Sequence, residues 1–262
     1  MNSISNINHL RFNKKGKGTS KKIKNIFPKY FLSLIIVAHT SLFSLNAQID
    51  ESQMGAWYMY FFNTSHEKSK IGFQGDVQYR NWNIAGDLEQ LLLRGGVTFK
   101  PEKANIKFTL GYGNITTGAF GEDNSSILFG EDNSSINESR IYQEALFPTK
   151  IGERFYLNHR LRYEQRFVEE QSLRTRYRYN LFVNVALNQK EMKEKTIYLA
   201  LYDEIFINGT GMPGQNIFDR NRAYIALGYV LKKGMKFQLG IMNQTTNTVN
   251  KNQLQLSLHH VF

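Results

Sequence analysis

The chain has 262 residues, no Cys, 14 Tyr, 19 Phe and a formal charge of +11. The missing thiol excludes a cysteine lipid anchor, thiolate zinc, thiol catalysis and disulfides, and only 4 Pro and 20 Gly argue against a collagenous or disordered chain. The charge does not point to nucleic acid: residues 1–47 hold eight Lys or Arg and no acid, which leaves 25 basic against 22 acidic residues beyond them, a net of +3.

Residues 1–47 read as a signal peptide with a long basic n-region. An apolar run from Tyr30 to Leu45 ends at Leu45-Asn46-Ala47, a small-residue cleavage site that predicts a mature start at Gln48. A retained anchor is the alternative. Ser33, His39, Thr40 and Ser41 interrupt the run, which falls short of the roughly 20 residues a helical span prefers.

Residues 48–262 form one domain in which strand-sized segments alternate with polar breaks. Trp57–Phe62 is aromatic. Ile71, Phe73, Val77 and Tyr79 alternate with Gln74, Asp76, Gln78 and Arg80, and Leu91, Leu93, Val97 and Phe99 oppose Gln90, Arg94 and Thr98. After a turn at Pro101–Asn105, Ile106, Phe108, Leu110 and Tyr112 alternate with Lys107, Thr109 and Gly111. A polar loop over 115–138 follows. In it Phe120–Ile127 recurs unchanged as Phe129–Ile136, a nine-residue duplication. An odd period reverses every side chain of a paired strand, so the repeat belongs in a loop, where added length costs about 0.6 kcal/mol per doubling. The acids Glu122, Asp123, Glu131 and Asp132 lack the ligand spacing of a calcium loop.

Strand signals resume at Arg140–Phe147 and lead into two arginine combs. In Phe155–Phe167, Arg160, Arg162, Glu164 and Arg166 share one face, and Leu157, His159, Leu161 and Tyr163 the other. In Arg174–Val185, Arg174, Arg176, Arg178 and Asn180 alternate with Tyr177, Tyr179, Leu181 and Val183. Three further alternating segments cover Thr196–Ile207, Phe218–Leu231 and Lys236–Asn243, and a last one ends the chain on Phe262.

The fold expected is all-β: an antiparallel, transmembrane, up-and-down β-barrel of about 10–12 strands in the outer membrane of a Gram-negative bacterium. A soluble periplasmic sandwich is the competing class. Against it stand segments of about ten residues, the length of a tilted membrane strand. Tight connections (Pro101–Asn105, Pro148–Gly152, Lys232–Gly234) also alternate with long ones (Ile115–Glu138, Asn208–Asn216, Thr245–Lys251). An arginine on lipid costs about 2–4 kcal/mol at mid-depth, so the combs are placed inside. Eleven segments are counted, and a barrel with both termini in the periplasm needs an even number, so ten or twelve strands are expected.

Several motifs carry a resemblance: Gly55-Ala-Trp57-Tyr58, Gln78-Tyr79-Arg80, Gln90-Leu-Leu-Leu-Arg94, Arg140-Ile-Tyr-Gln-Glu144, His159-Arg160-Leu-Arg162-Tyr-Glu164-Gln-Arg166, Arg176-Tyr-Arg178-Tyr, Asp203-Glu204-Ile-Phe206 and Phe218-Asp-Arg220-Asn-Arg222. Together they resemble the DUF2490 family of Bacteroidetes outer-membrane proteins over almost all of the mature chain. The resemblance implies an outer-membrane barrel and no reaction.

The pooled polar faces give the candidate lumen residues: Arg80, Arg94, Arg140, Glu144, Arg160, Arg162, Glu164, Arg166, Arg174, Arg176, Arg178, Glu204, Arg220 and Arg222. As a plug, interleaved Arg–Glu pairs with Tyr156, Tyr198, Tyr202 and Tyr224 fill the interior. As a passage or binding site, the same arginines receive small anionic solutes. Surface-loop binding and a lipid-modifying enzyme are further readings. No enzyme is expected, since His66, His159, His259 and His260 do not form a triad with a Ser in the pattern. No metal site or cofactor is expected either. The expected partners are outer-membrane lipid and the outer-membrane assembly machinery, through Phe262.

Overall fold

The computed structural model describes residues 54–262, apart from 65–66, 68, 87, 120–134 and 211–215. The leader with its start at Gln48, His66, and nearly all of the duplicated segment with its four carboxylates lie outside the described residues.

Among the described residues eleven strands follow in chain order: β1 (Gly55–Asn63), β2 (Ile71–Asn81), β3 (Leu88–Phe99), β4 (Lys107–Thr117), β5 (Ile136–Ile151), β6 (Phe155–Val168), β7 (Arg174–Ala186), β8 (Ile197–Asn208), β9 (Phe218–Lys232), β10 (Met235–Thr246) and β11 (Asn250–Val261). Each pairs antiparallel with the next, and β1 pairs with β11 to close one barrel. Closure satisfies the outer backbone groups that an open sheet edge would leave unpaired.

The even strand number expected from the sequence is overturned. With eleven strands, β1 and β11 run the same way, and they close in parallel register from Gly55↔Gln253 to Asn63↔Val261. The chain therefore enters the barrel at one end, at Gly55, and leaves it at the other, at Val261.

Polarity is inverted across the wall. Leu110 and Leu227 are each 61 % exposed, and Tyr177 54 %, while Glu164 is 1 % and Arg176 4 % exposed. Period-two alternation sends these groups to opposite faces of the same strands.

Three expected connections are corrected. The polar loop expected over 115–138 is shorter at both ends, because Ile115–Thr117 belong to β4 and pair with Ile136–Glu138 of β5. Pro148 does not open a turn: it lies inside β5, paired with Asn158. The pairing of β4 with β5 stops at Leu146, so Pro148 sits where one side of β5 has no ladder partner and the missing N–H costs nothing. The β5–β6 turn is instead 152–154, with Gly152 at φ +58°. The connection expected over Thr245–Lys251 shrinks to 247–249, because the Thr246 hydroxyl accepts from Val249 N at 2.9 Å and from Thr248 N at 3.3 Å.

Candidate functional site

The inward face divides into two sectors. In the first, β5–β8 bring three carboxylates and three arginines into a closed ring. Glu144 accepts from Arg162 Nε at 2.8 Å, and Arg162 lies 3.8 Å from Glu164. Glu164 accepts from Arg178 at 2.6 Å, and Arg178 reaches Glu204 at 2.7 Å. Glu204 accepts from Arg160 at 2.7 Å, and Arg160 returns to Glu144 at 3.8 Å.

Further pairs extend this ring. Arg176 bridges Glu164 at 2.6 Å and Asp219 at 2.9 Å, and Asp219 also accepts from Arg220. Glu138 accepts from both Arg140 and Arg166. Arg94 pairs with Asp76 at 2.8 Å. Arg174 stands half-buried opposite Arg166 at the start of β7. Buried pairs of this kind add little net stability against apolar substitutes, but losing one partner typically costs about 3–5 kcal/mol. Because the ring's contacts join β5 to β6, β6 to β7, β7 to β8 and β6 to β8, they penalise any slip in strand register.

The second sector lies on β1, β2 and β8–β11. It is aromatic, and its charges are unbalanced. Tyr202 and Tyr224 stack at 4.6 Å between ring centroids. Tyr202 exchanges hydrogen bonds with Gln255, and Tyr198 accepts from Gln238 at 3.1 Å. Tyr198 is fully buried against Gly228, where a Cβ would fall within the ring.

Trp57 packs into this cluster, and the guanidiniums of Arg80 and Arg222 lie over its ring at 3.7 and 4.8 Å. Neither arginine forms a salt bridge among the described residues, and Glu89 and Glu204 act on them only at longer range. Arg80 donates to Gln78 and Gln90. Arg222 donates through Nε to Gln244 at 2.8 Å, which leaves its two terminal nitrogens without a hydrogen bond among the described residues. The indole N–H of Trp57, a residue 3 % exposed, also lacks a hydrogen-bond partner among them. All three side chains line a cavity of about 410 Å³.

The structure thus separates the candidate residues. Arg80 and Arg222 belong to the aromatic sector, and most of the rest are tied to carboxylates. Asp76, Glu138 and Asp219 are partners the sequence reasoning missed, although Asp76 and Glu138 each stand two residues from an inward-facing polar side chain, Gln78 and Arg140. Trp57 had no such signal, because β1 carries aromatic or apolar side chains on both faces.

The histidines separate as well. His159 lies on the outer face and bonds the Tyr179 hydroxyl at 2.8 Å. His259 faces inward, 3.1 Å from the Ser257 hydroxyl, and its ring stacks on Phe61 at 4.8 Å. This serine–histidine contact was not anticipated. An orienting carboxylate or amide is not seen on the second ring nitrogen among the described residues, so the contact is a dyad and not a triad.

Fold and interior together define a class: a closed, eleven-stranded β-barrel with apolar side chains outside and an arginine–carboxylate interior. The chain belongs to the family described as Protein of unknown function (DUF2490), which matches residues 54–255. No curated protein and no solved structure matches it.

Proposed function

We infer that the protein is an outer-membrane β-barrel whose interior binds and passes small anionic solutes. The observation that carries this reading is the excess of inward guanidinium over carboxylate, above all Arg80 and Arg222, which form no salt bridge among the described residues and meet Glu89 and Glu204 only at longer range. A buried cation without a counter-charge is costly, and an incoming anion relieves that cost.

Membrane residence is supported by the outer face. Its exposed Leu, Ile, Val, Phe and Tyr side chains run over nearly every strand, from Ile71 and Phe73 to Leu239 and Ile241. Apolar surface on that scale is a liability in water and a fit to acyl chains. In this reading lipid is the main partner, and the exposed terminal Phe262 is the residue offered to the assembly machinery. No reaction is assigned to the barrel.

Planar-bilayer recording in a salt gradient tests the passage. The expected result is a reversal potential of anion selectivity, weakened by Arg222→Gln. No conductance, or cation preference, rejects it. Membrane fractionation with heat-modifiable gel mobility tests residence, and a soluble, unshifted protein rejects that part.

A further inference from the structure

We propose that the cavity beside Trp57 is a binding site for an organic anion with a ring-shaped body, its carboxylate or phosphate head held by Arg222 and Arg80. This deepens the anion reading above by naming the site and the ligand's chemistry.

The head-group site is built from donors already in place. The terminal nitrogens of Arg222 carry four N–H groups, none of them bonded among the described residues. Its guanidinium is held in place between the Trp57 and Phe206 rings, 4.8 Å from each centroid. Arg80 is fixed by three hydrogen bonds to the amides of Gln78 and Gln90, which anchor its charge without a salt bridge. The Trp57 ring stands against both guanidiniums and lines the same cavity, so its emission reports on the site. Glu204 stands across the strand pair from Arg222 but is already bonded to Arg160 and Arg178. Preorganised cationic donors lining a concave space favour carboxylate and phosphate oxygens, and guanidinium favours them in a bidentate fork.

The walls argue for a ring. A cavity of about 410 Å³ lies within the range typical of small-molecule sites, and a bare inorganic ion leaves much of it unfilled. Tyr202 and Tyr224 form a stacked pair along it, and Gln238 and Gln255 are tied to tyrosine hydroxyls beside them. Flat aromatic surface edged by amides suits a ring with polar substituents.

The test uses the full chain in detergent with Trp82→Phe, which leaves Trp57 as the one indole of the two in the sequence. Trp57 emission is titrated with phenyl phosphate, inorganic phosphate and phenol. The expected result is a saturable response to phenyl phosphate, with binding at least tenfold weaker for either fragment alone. Arg222→Gln is expected to weaken phenyl phosphate tenfold or more, Arg222→Lys by less, and Lys232→Gln on the exposed β9 end not at all.

No saturable response to phenyl phosphate overturns the site. So does unchanged affinity in a folded Arg222→Gln or, should that variant not fold, in Arg222→Lys. Phenol binding as tightly as phenyl phosphate overturns the anion head, and inorganic phosphate doing so overturns the ring body. Anion conductance without a Trp57 response keeps the passage and removes this site. A response without conductance keeps the site and removes the passage.

Discussion

The two halves of the barrel interior use the same residue, arginine, in opposite ways. On β5–β8 each guanidinium of the ring faces two carboxylates, and each carboxylate faces at least two guanidiniums. On the β2 and β9 side, Arg80 and Arg222 face the indole of β1, amides and a cavity. Charge that is saturated within the protein serves register and fills space. Charge left unbalanced beside an open volume is available to a ligand. The cavity touches both sets, since Arg160, Arg178 and Glu204 line it along with Arg80 and Arg222; under the proposed function the paired arginines pack the interior and the two unpaired ones receive the ligand.

The largest effect that separates the halves belongs to Glu164, which accepts from Arg176 and Arg178 and lies 3.8 Å from Arg162. Glu164→Gln takes one of two carboxylate partners from each of three buried arginines, which keep Glu144, Asp219 and Glu204, and is expected to cost about 3 kcal/mol or more. The readout is the urea midpoint for loss of the heat-modifiable band. A variant as stable as the parent would show that the ring contributes nothing to register.

Next comes the wall itself. Leu227→Arg places a guanidinium among Ile225, Leu239 and Ile241 on the outer face and is expected to cost about 2–4 kcal/mol in a bilayer. In the same assay, Leu227→Gln should be much milder. Equal, small effects of both would mean that this face does not meet hydrocarbon.

The comparison sharpens when one substitution is made in both halves. Arg178→Met leaves Glu164 and Glu204 each short of a partner, and about 3 kcal/mol or more should be lost. Arg222→Met removes a buried cation with no acid partner. It forfeits ring contacts worth about 0.5–2 kcal/mol and relieves desolvation of similar size, so stability should stay within about 1 kcal/mol of the parent. Equal losses at both positions would erase the distinction between the halves.

How much of this was readable follows from which signals period two carries. The combs on β6 and β7 declared their faces because Arg alternates with Leu and Tyr, and the structure keeps that phase along both strands. Strand number was countable, yet the even-number rule misled, because parallel closure of β1 on β11 leaves no mark in either strand's own sequence. Pro148 read as a turn because its neighbour's length was unknown: only the end of β4 pairing at Leu146 makes a proline tolerable there. The split of the interior was illegible for a related reason. Which arginine meets which acid depends on strands far apart in the chain, such as Arg160 with Glu204 and Arg176 with Asp219.

The smallest effect is also the most directional. Glu204 holds Arg160 and Arg178 and stands across from Arg222, so it lies at the border between the halves. Glu204→Gln keeps the side chain's shape and two acceptor lone pairs and removes one negative charge. Arg160 retains a 3.8 Å contact with Glu144, and Arg178 retains Glu164 at 2.6 Å, so the ring loosens without losing every tie. The cavity beside it becomes more positive by one charge. Affinity for phenyl phosphate should therefore rise a few-fold, corresponding to about 1 kcal/mol or less at the effective dielectric of such sites, while the urea midpoint falls. Anion selectivity in the bilayer should rise with it. Weaker binding would instead mean that Glu204 helps to position Arg222, and that the border residue belongs to the pocket more than to the ring.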